Sequence, residues 1–210
     1  NINTSATFRK QFSTYPDLLR SGLFWGYSIC LSFGIACFYA FLSGAPLVAD
    51  KVLNLPPSHL GFYMGSITGA FLVGSFISNR LAKHTTSTKL VLAGRTISVL
   101  GLSLGLIIVM FGNVSSLSIF GSTLFIGLGN GMSLPSCYVG VMNVRSDLAG
   151  SAAGLSGAMG VAAGAILATM MAAILTENNA AFGFLSFLLV AKIISLAGAI
   201  LAHNLEKNIN

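Results

Sequence analysis

For 49 residues, from Thr96 to Val144, this chain carries no charged side chain. A water-facing domain cannot sustain such a run, because each surface helix or strand needs a polar outer face. The same pattern recurs elsewhere. Residues 23–48 are 26 positions without charge, 60–79 are 20, 148–176 are 29, and 181–202 are interrupted by Lys192 alone. A helix needs about 20 apolar residues to cross a bilayer. The longest run therefore holds two spans around the turn Gly112-Asn113-Val114-Ser115-Ser116.

Six spans result, at about 23–48, 59–81, 90–111, 117–142, 148–175 and 181–203. The expected fold is an all-α integral membrane bundle over residues 22–203. Residues 1–21 form a polar tail or linker, and 204–210 a second tail. Only 8% of the chain is charged and 54% is hydrophobic, which excludes a soluble enzyme, a nucleic-acid-binding domain and a disordered chain despite a net charge of +6. The first 21 residues contain no apolar core before a cleavage site, so they are not a signal peptide. With Asn1 in place of Met, they read as the continuation of a longer protein. Cys30, Cys37 and Cys137 lie in apolar runs, with no spacing that points to a disulfide framework or a metal site. No cofactor motif is present.

The connections are short: Asn54-Leu-Pro-Pro-Ser58 opens the second span, and Thr85-Thr-Ser-Thr88 and Glu177-Asn-Asn179 are loops. Loops this short imply that consecutive helices are antiparallel neighbours. Six spans put both termini on one side. That side carries Arg9, Lys10, Arg20, Arg80, Lys83, Lys89, Arg145 and Lys207, against Lys51 alone on the other. The bias predicts that both termini are cytoplasmic.

A shift of 89 residues superposes Pro46 on Pro135, Gly61 on Gly150 and Gly65 on Gly154. The first element of each half runs in the opposite sense, so the pattern predicts three spans plus three inverted spans, a transporter architecture. Small residues recur on the fifth span, at Gly150, Gly154, Gly157, Gly160 and Gly164, and predict close approach of another helix.

The acids Asp17, Asp50, Asp147, Glu177 and Glu206 all lie in tails or loops, so no carboxylate is available within a span to carry a proton. Arg95 is near the end of its span and is expected to snorkel to the cytoplasmic face. Lys192 is near mid-span. It could stay neutral, bond to backbone carbonyls, or pair with an acid outside this chain. Ser28, Ser32, Tyr39 and Ser43 form a polar stripe on the first span, directed at either a cavity or a neighbouring helix. Asn130 and Ser133 are a second polar pair, and Phe38, Phe71 and Met159 are candidate apolar walls or core residues.

Three segments carry a family resemblance. Phe38-Tyr-Ala-Phe-Leu-Ser-Gly-Ala-Pro-Leu-Val48 with Pro56-Pro-Ser-His-Leu-Gly-Phe-Tyr63 resembles the seventh helix and following loop of the bicyclomycin/chloramphenicol-resistance branch of the major facilitator superfamily. Gly127-Leu-Gly-Asn-Gly-Met-Ser-Leu-Pro135 and Ala149-Gly-Ser-Ala-Ala-Gly-Leu-Ser-Gly157 look like its tenth and eleventh helices. Gly74-Ser-Phe-Ile-Ser-Asn-Arg80 occupies the place of that superfamily's cytoplasmic Gly-x-x-x-Asp-Arg loop. Ser78 or Asn79 stands where the acid would be, which puts a salt-bridge gate at Arg80 in doubt.

The resemblance covers residues 10 to 203. It implies half of a major facilitator fold, helices seven to twelve, from a proton-driven multidrug exporter of the bacterial inner membrane. It implies as partners a small hydrophobic or cationic drug, protons handled by acids in an N-terminal six-helix half, and the lipid bilayer. The cavity candidates are Ser32, Phe38, Tyr39, Ser43, Phe71, Asn130, Ser133 and Met159. The packing or gating candidates are Pro46, Gly74, Arg80, Pro135, Gly150, Gly154 and Gly157. Two other classes remain open: a rhomboid-like serine protease built on Gly154-Leu-Ser-Gly157 with His203, and a non-transporting six-helix assembly subunit.

Overall fold

The computed structural model describes residues 15–177 and 179–209; Arg9, Lys10 and most of the N-terminal tail lie outside them. A helical turn, Tyr15–Leu19, leads into six long helices: α1 Gly22–Leu47, α2 Pro57–Leu81, α3 Ser87–Met110, α4 Ser122–Asn143, α5 Ala149–Ile174 and α6 Ala180–Ile209. All six are long and apolar enough to cross a membrane.

Their ends follow local chemistry. Ser21 caps α1 by accepting the Phe24 amide at 3.3 Å. Pro57 sits in the first turn of α2, where its missing N–H costs no hydrogen bond. Gly112 takes φ +84° after α3, a conformation that only glycine adopts without strain. A π-helical turn, Val48–Val52, extends α1, and another, Leu117–Gly121, precedes α4.

Two boundaries move. The loop expected over 85–88 ends at Thr86, and Thr88 is buried within α3. The expected tail 204–210 is helical through Ile209, because Glu206 is bonded back into the bundle. It accepts from Tyr27 Oη at 2.5 Å and from the Thr88 hydroxyl.

The lateral arrangement departs from the sequence expectation. Among the consecutive helices only α3 and α4 pack closely; the other consecutive pairs scarcely touch. Instead α1 packs on α5 and α6, α4 packs on α2 and α3, α3 packs on α6, and α1 meets α4. Exchanging α1 with α4, α2 with α5 and α3 with α6 maps this set onto itself. That is the packing of two inverted three-helix repeats. Short loops limit only how far apart two helix ends lie; the side-chain surfaces select the neighbours.

The α2–α4 contact illustrates how. A Cβ on Gly74 would run into the Leu128 carbonyl oxygen, and one on Gly131 into that of Phe71. The two backbones are therefore in direct contact. Pro135 lacks an N–H and so leaves the Gly131 carbonyl without its helical donor. Ser75 Oγ of α2 donates to that carbonyl at 3.3 Å, and Ser78 Oγ donates to the Met132 carbonyl at 2.9 Å. Pro46 and Pro135 themselves lie on exposed faces, each inside the first helix of its repeat.

Gly150 and Gly154 behave differently from expectation. A Cβ at either would meet nothing within 4 Å, and the same holds for their counterparts Gly61 and Gly65 and for Gly69. Among the described residues the small face of α5 receives neighbours from Gly157 onward: Gly157 lies near the Tyr138 hydroxyl, Gly160 packs on Ile35 and Gly164 on the Tyr39 ring.

These contacts predict opposite outcomes for the same substitution. Gly74→Ala forces α2 from α4 and lowers stability by about 1–3 kcal/mol. Gly154→Ala leaves packing intact and gains up to about 1 kcal/mol of helix propensity. Thermal unfolding of the purified chain in detergent measures both. Equal melting temperatures for the two variants would contradict this packing.

Candidate functional site

Near the middle of the bundle, four helices converge on two buried cations. Arg95 of α3 and Lys192 of α6 are both fully buried. Arg95 Nη1 donates to Asn130 Oδ1 of α4 at 2.6 Å, and Lys192 Nζ donates to the same oxygen at 2.7 Å. Both lone pairs of that amide oxygen are thereby used, which fixes the amide orientation. Asn130 Nδ2 donates to the Gly34 carbonyl of α1 at 3.0 Å. Arg95 Nη2 reaches the Cys30 carbonyl, and its Nε reaches Cys30 Sγ, each at 3.2 Å. Ser195 Oγ of α6 donates to the same carbonyl at 2.6 Å. Cys30 Sγ in turn lies 3.4 Å from Cys137 Sγ of α4, both as free thiols.

Arg95 therefore does not snorkel. Its guanidinium lies against Gly34, where any side chain would overlap it, and every acceptor it needs is inside the bundle. Lys192 has found a side-chain amide, an acceptor outside the alternatives its sequence context left open. No acid contacts either cation among the described residues; the ion pairs there are Lys51 with Asp50 and Glu177, and Arg145 with Asp147, all exposed.

Asn130 also faces outward. It lines a groove of about 390 Å³ that opens between α1 and α2, with α4 as its floor. Ile35, Phe38 and Tyr39 come from α1, Ile67, Thr68 and Phe71 from α2, and Gly127 and Leu134 join Asn130 on α4. All nine lie near mid-helix, so the groove is at mid-depth. Its wall is apolar apart from the Asn130 amide, the Thr68 hydroxyl and the Tyr39 phenol.

Of the eight cavity candidates, the structure brings Phe38, Tyr39, Phe71 and Asn130 to this groove. The other four lie elsewhere. Ser43 Oγ donates to the Ala168 carbonyl of α5 at 2.9 Å, and Ser133 Oγ to the Gly129 carbonyl of its own helix at 2.6 Å. Ser32 is buried, and its hydroxyl has no partner among the described residues. Met159 is half-buried on α5. The polar stripe on α1 thus faces α5, because a hydroxyl in an apolar interface gains most from a nearby carbonyl or hydroxyl.

Ser28 Oγ and Ser156 Oγ share a 2.7 Å hydrogen bond, which gives Ser156 a serine partner where a protease would need a base. Arg80 is exposed and stacks over the Phe76 ring at 4.8 Å, while Ser78 is buried against α4. Neither residue forms a salt-bridge gate among the described residues. Ile35, Ile67, Thr68, Gly127 and Leu134 were absent from the sequence candidates. A signal existed: each joins a candidate three or four positions away along its helix, and so shares its face.

Inverted three-helix repeats around a mid-depth groove define a transporter-type membrane protein. The family model for the Major Facilitator Superfamily matches residues 2–169. The chain belongs to this superfamily, whose members are transporters rather than enzymes. A search of curated proteins finds no match.

The cation cluster makes a stability prediction. Asn130→Leu leaves two buried charged donors without their shared acceptor and lowers stability by about 3–5 kcal/mol. Asn130→Asp keeps an acceptor between the same donors but loses the donor to the Gly34 carbonyl, so its melting temperature lies well above that of the Leu variant. Lys192→Met removes one buried charge, retains the Arg95–Asn130 bond, and changes stability by less than about 1 kcal/mol. An Asp variant no more stable than the Leu variant in a thermal melt would refute the arrangement.

Proposed function

We propose that this chain is the C-terminal half of a proton-coupled exporter of small, largely apolar, drug-like molecules. The observation that carries the reading is the 390 Å³ groove at mid-depth, apolar but for a few polar groups and open on one side. Such a groove is one wall of a cavity that a second six-helix half completes. Large aromatic surfaces at Phe38, Tyr39 and Phe71 suit varied greasy substrates, which they meet without demanding fixed hydrogen-bond geometry.

The missing half also accounts for α2 and α5. These are the least buried helices of the bundle, and they are related by the internal repeat. Both leave glycines uncovered at corresponding positions, Gly61 and Gly65 on one, Gly150 and Gly154 on the other. A glycine face toward lipid makes few contacts, whereas toward another helix it permits backbone approach and sliding. Rocking of the two halves about these faces would expose the groove to each side of the membrane in turn.

Asp50, Asp147 and Glu206 lie at helix ends and none lies at mid-depth, so proton-carrying carboxylates belong to the other half. The basic end of the bundle, with Arg20, Arg80, Lys83, Lys89, Arg145 and Lys207, faces the cytoplasm, and the membrane is the bacterial inner membrane.

Co-expression with an intact N-terminal six-helix half should restore proton-driven efflux of a hydrophobic drug. The chain alone should purify as a polydisperse species. Phe71→Ala in the assembled transporter should raise the half-saturating drug concentration about tenfold, equivalent to about 1.4 kcal/mol. No efflux from a well-folded assembly would refute transport and leave a non-transporting bundle.

A further inference from the structure

The groove has an electrostatic polarity that its apolar lining conceals. Asn130 is in contact with both the groove and the two buried cations. Its Oδ1 is turned inward, held by Arg95 and Lys192 at 2.6 and 2.7 Å. One Nδ2 hydrogen goes to the Gly34 carbonyl. The second has no acceptor among the described residues, although Asn130 is part of the groove wall.

An occupant of the groove therefore meets the Asn130 amide with positive charge directly behind it. Arg95 keeps its charge at any accessible pH, so the field stays positive whatever the state of Lys192. On this wall nothing opposes it: none of the nine residues is acidic. The acceptors around Arg95 are a carbonyl, a sulfur and an amide oxygen, and both cations are sealed from water, so little screens them.

We propose that the groove selects amphiphilic occupants bearing an oxyanion, such as a carboxylate, with that oxygen at Asn130 and the apolar body against Phe38 and Phe71. It discriminates against cations. The inference rests on reading the groove as the substrate cavity, and it narrows the substrate class: of the hydrophobic and cationic drugs that the family resemblance implies, cations are disfavoured. Asn130 is the contact residue, and Arg95 a positioning residue that acts through it.

A matched pair of photoprobes tests this on the assembled transporter in nanodiscs. One is a benzophenone with a short alkyl carboxylate, the other the same benzophenone with a trimethylammonium group in its place. Cross-links are mapped by mass spectrometry to the segments around Phe38 and Phe71. The carboxylate should label these segments more strongly than the ammonium, by at least on the order of tenfold. The ratio should fall toward parity in Arg95→Gln and recover in Arg95→Lys, which restores charge but not shape.

Equal labelling, a preference for the ammonium, absence of carboxylate cross-links at these segments, or a ratio unchanged in Arg95→Gln would each overturn the proposal. The wild-type ratio needs no variant, so a poorly folding Arg95→Gln leaves the first test in force. Efflux of an uncharged drug, measured in parallel, separates the two readings. Efflux without anion preference refutes the selectivity alone, and anion preference without efflux refutes transport alone.

Discussion

Two cations held in a membrane-spanning bundle by neutral acceptors are the constraint around which the inner four helices are arranged. A charge in such a place requires donors and acceptors in fixed positions, since neither water nor lipid is available to substitute. Asn130 supplies an oxygen with two lone pairs, and α3 and α6 each bring one donor to it. The Gly34 carbonyl orients the amide, and the Cys30 carbonyl collects Arg95 and Ser195. Asn130 and Arg95 each bond to more than one helix, so α1, α3, α4 and α6 are tied as a unit. The outer helices α2 and α5 attach to that unit through small residues and, in each case, two hydrogen bonds of serine hydroxyls.

This division has a mechanical consequence. The inner unit is bound by directional bonds that fail abruptly when bent, and so is suited to move as a rigid body. The outer pair carries the uncovered glycines, where sliding costs little because few atoms interlock. The groove lies at the boundary between the two, walled by α1 and α4 on the rigid side and α2 on the other.

The six helices were legible because charge-free runs of about 20 residues or more leave one physical option in a bilayer. The inverted repeat was legible too: the prolines and glycines that align at a shift of 89 are those whose places in the two halves correspond. Apart from α3 and α4, the neighbours of each helix were not legible from the loops. Loop length restrains ends, whereas neighbours are chosen by surface fit along the whole helix. Among the candidate residues, Phe38, Tyr39, Phe71 and Asn130 reached the groove, while Ser43 and Ser133 met carbonyls first. A serine on a membrane helix looks the same in sequence whether it faces a cavity or a backbone oxygen.

The sequence by itself determined that this chain crosses a membrane six times, in two related and oppositely directed halves, with no acid near the middle of any span. Those properties depend on composition along single helices. Only the tertiary structure decided that Arg95 turns inward, that Lys192 shares its acceptor, and that Asn130 stands between them and an apolar groove. These three residues lie 35 and 62 positions apart along the chain. No local pattern records such a meeting, because a buried charge is stabilised by whatever acceptors other helices bring to it.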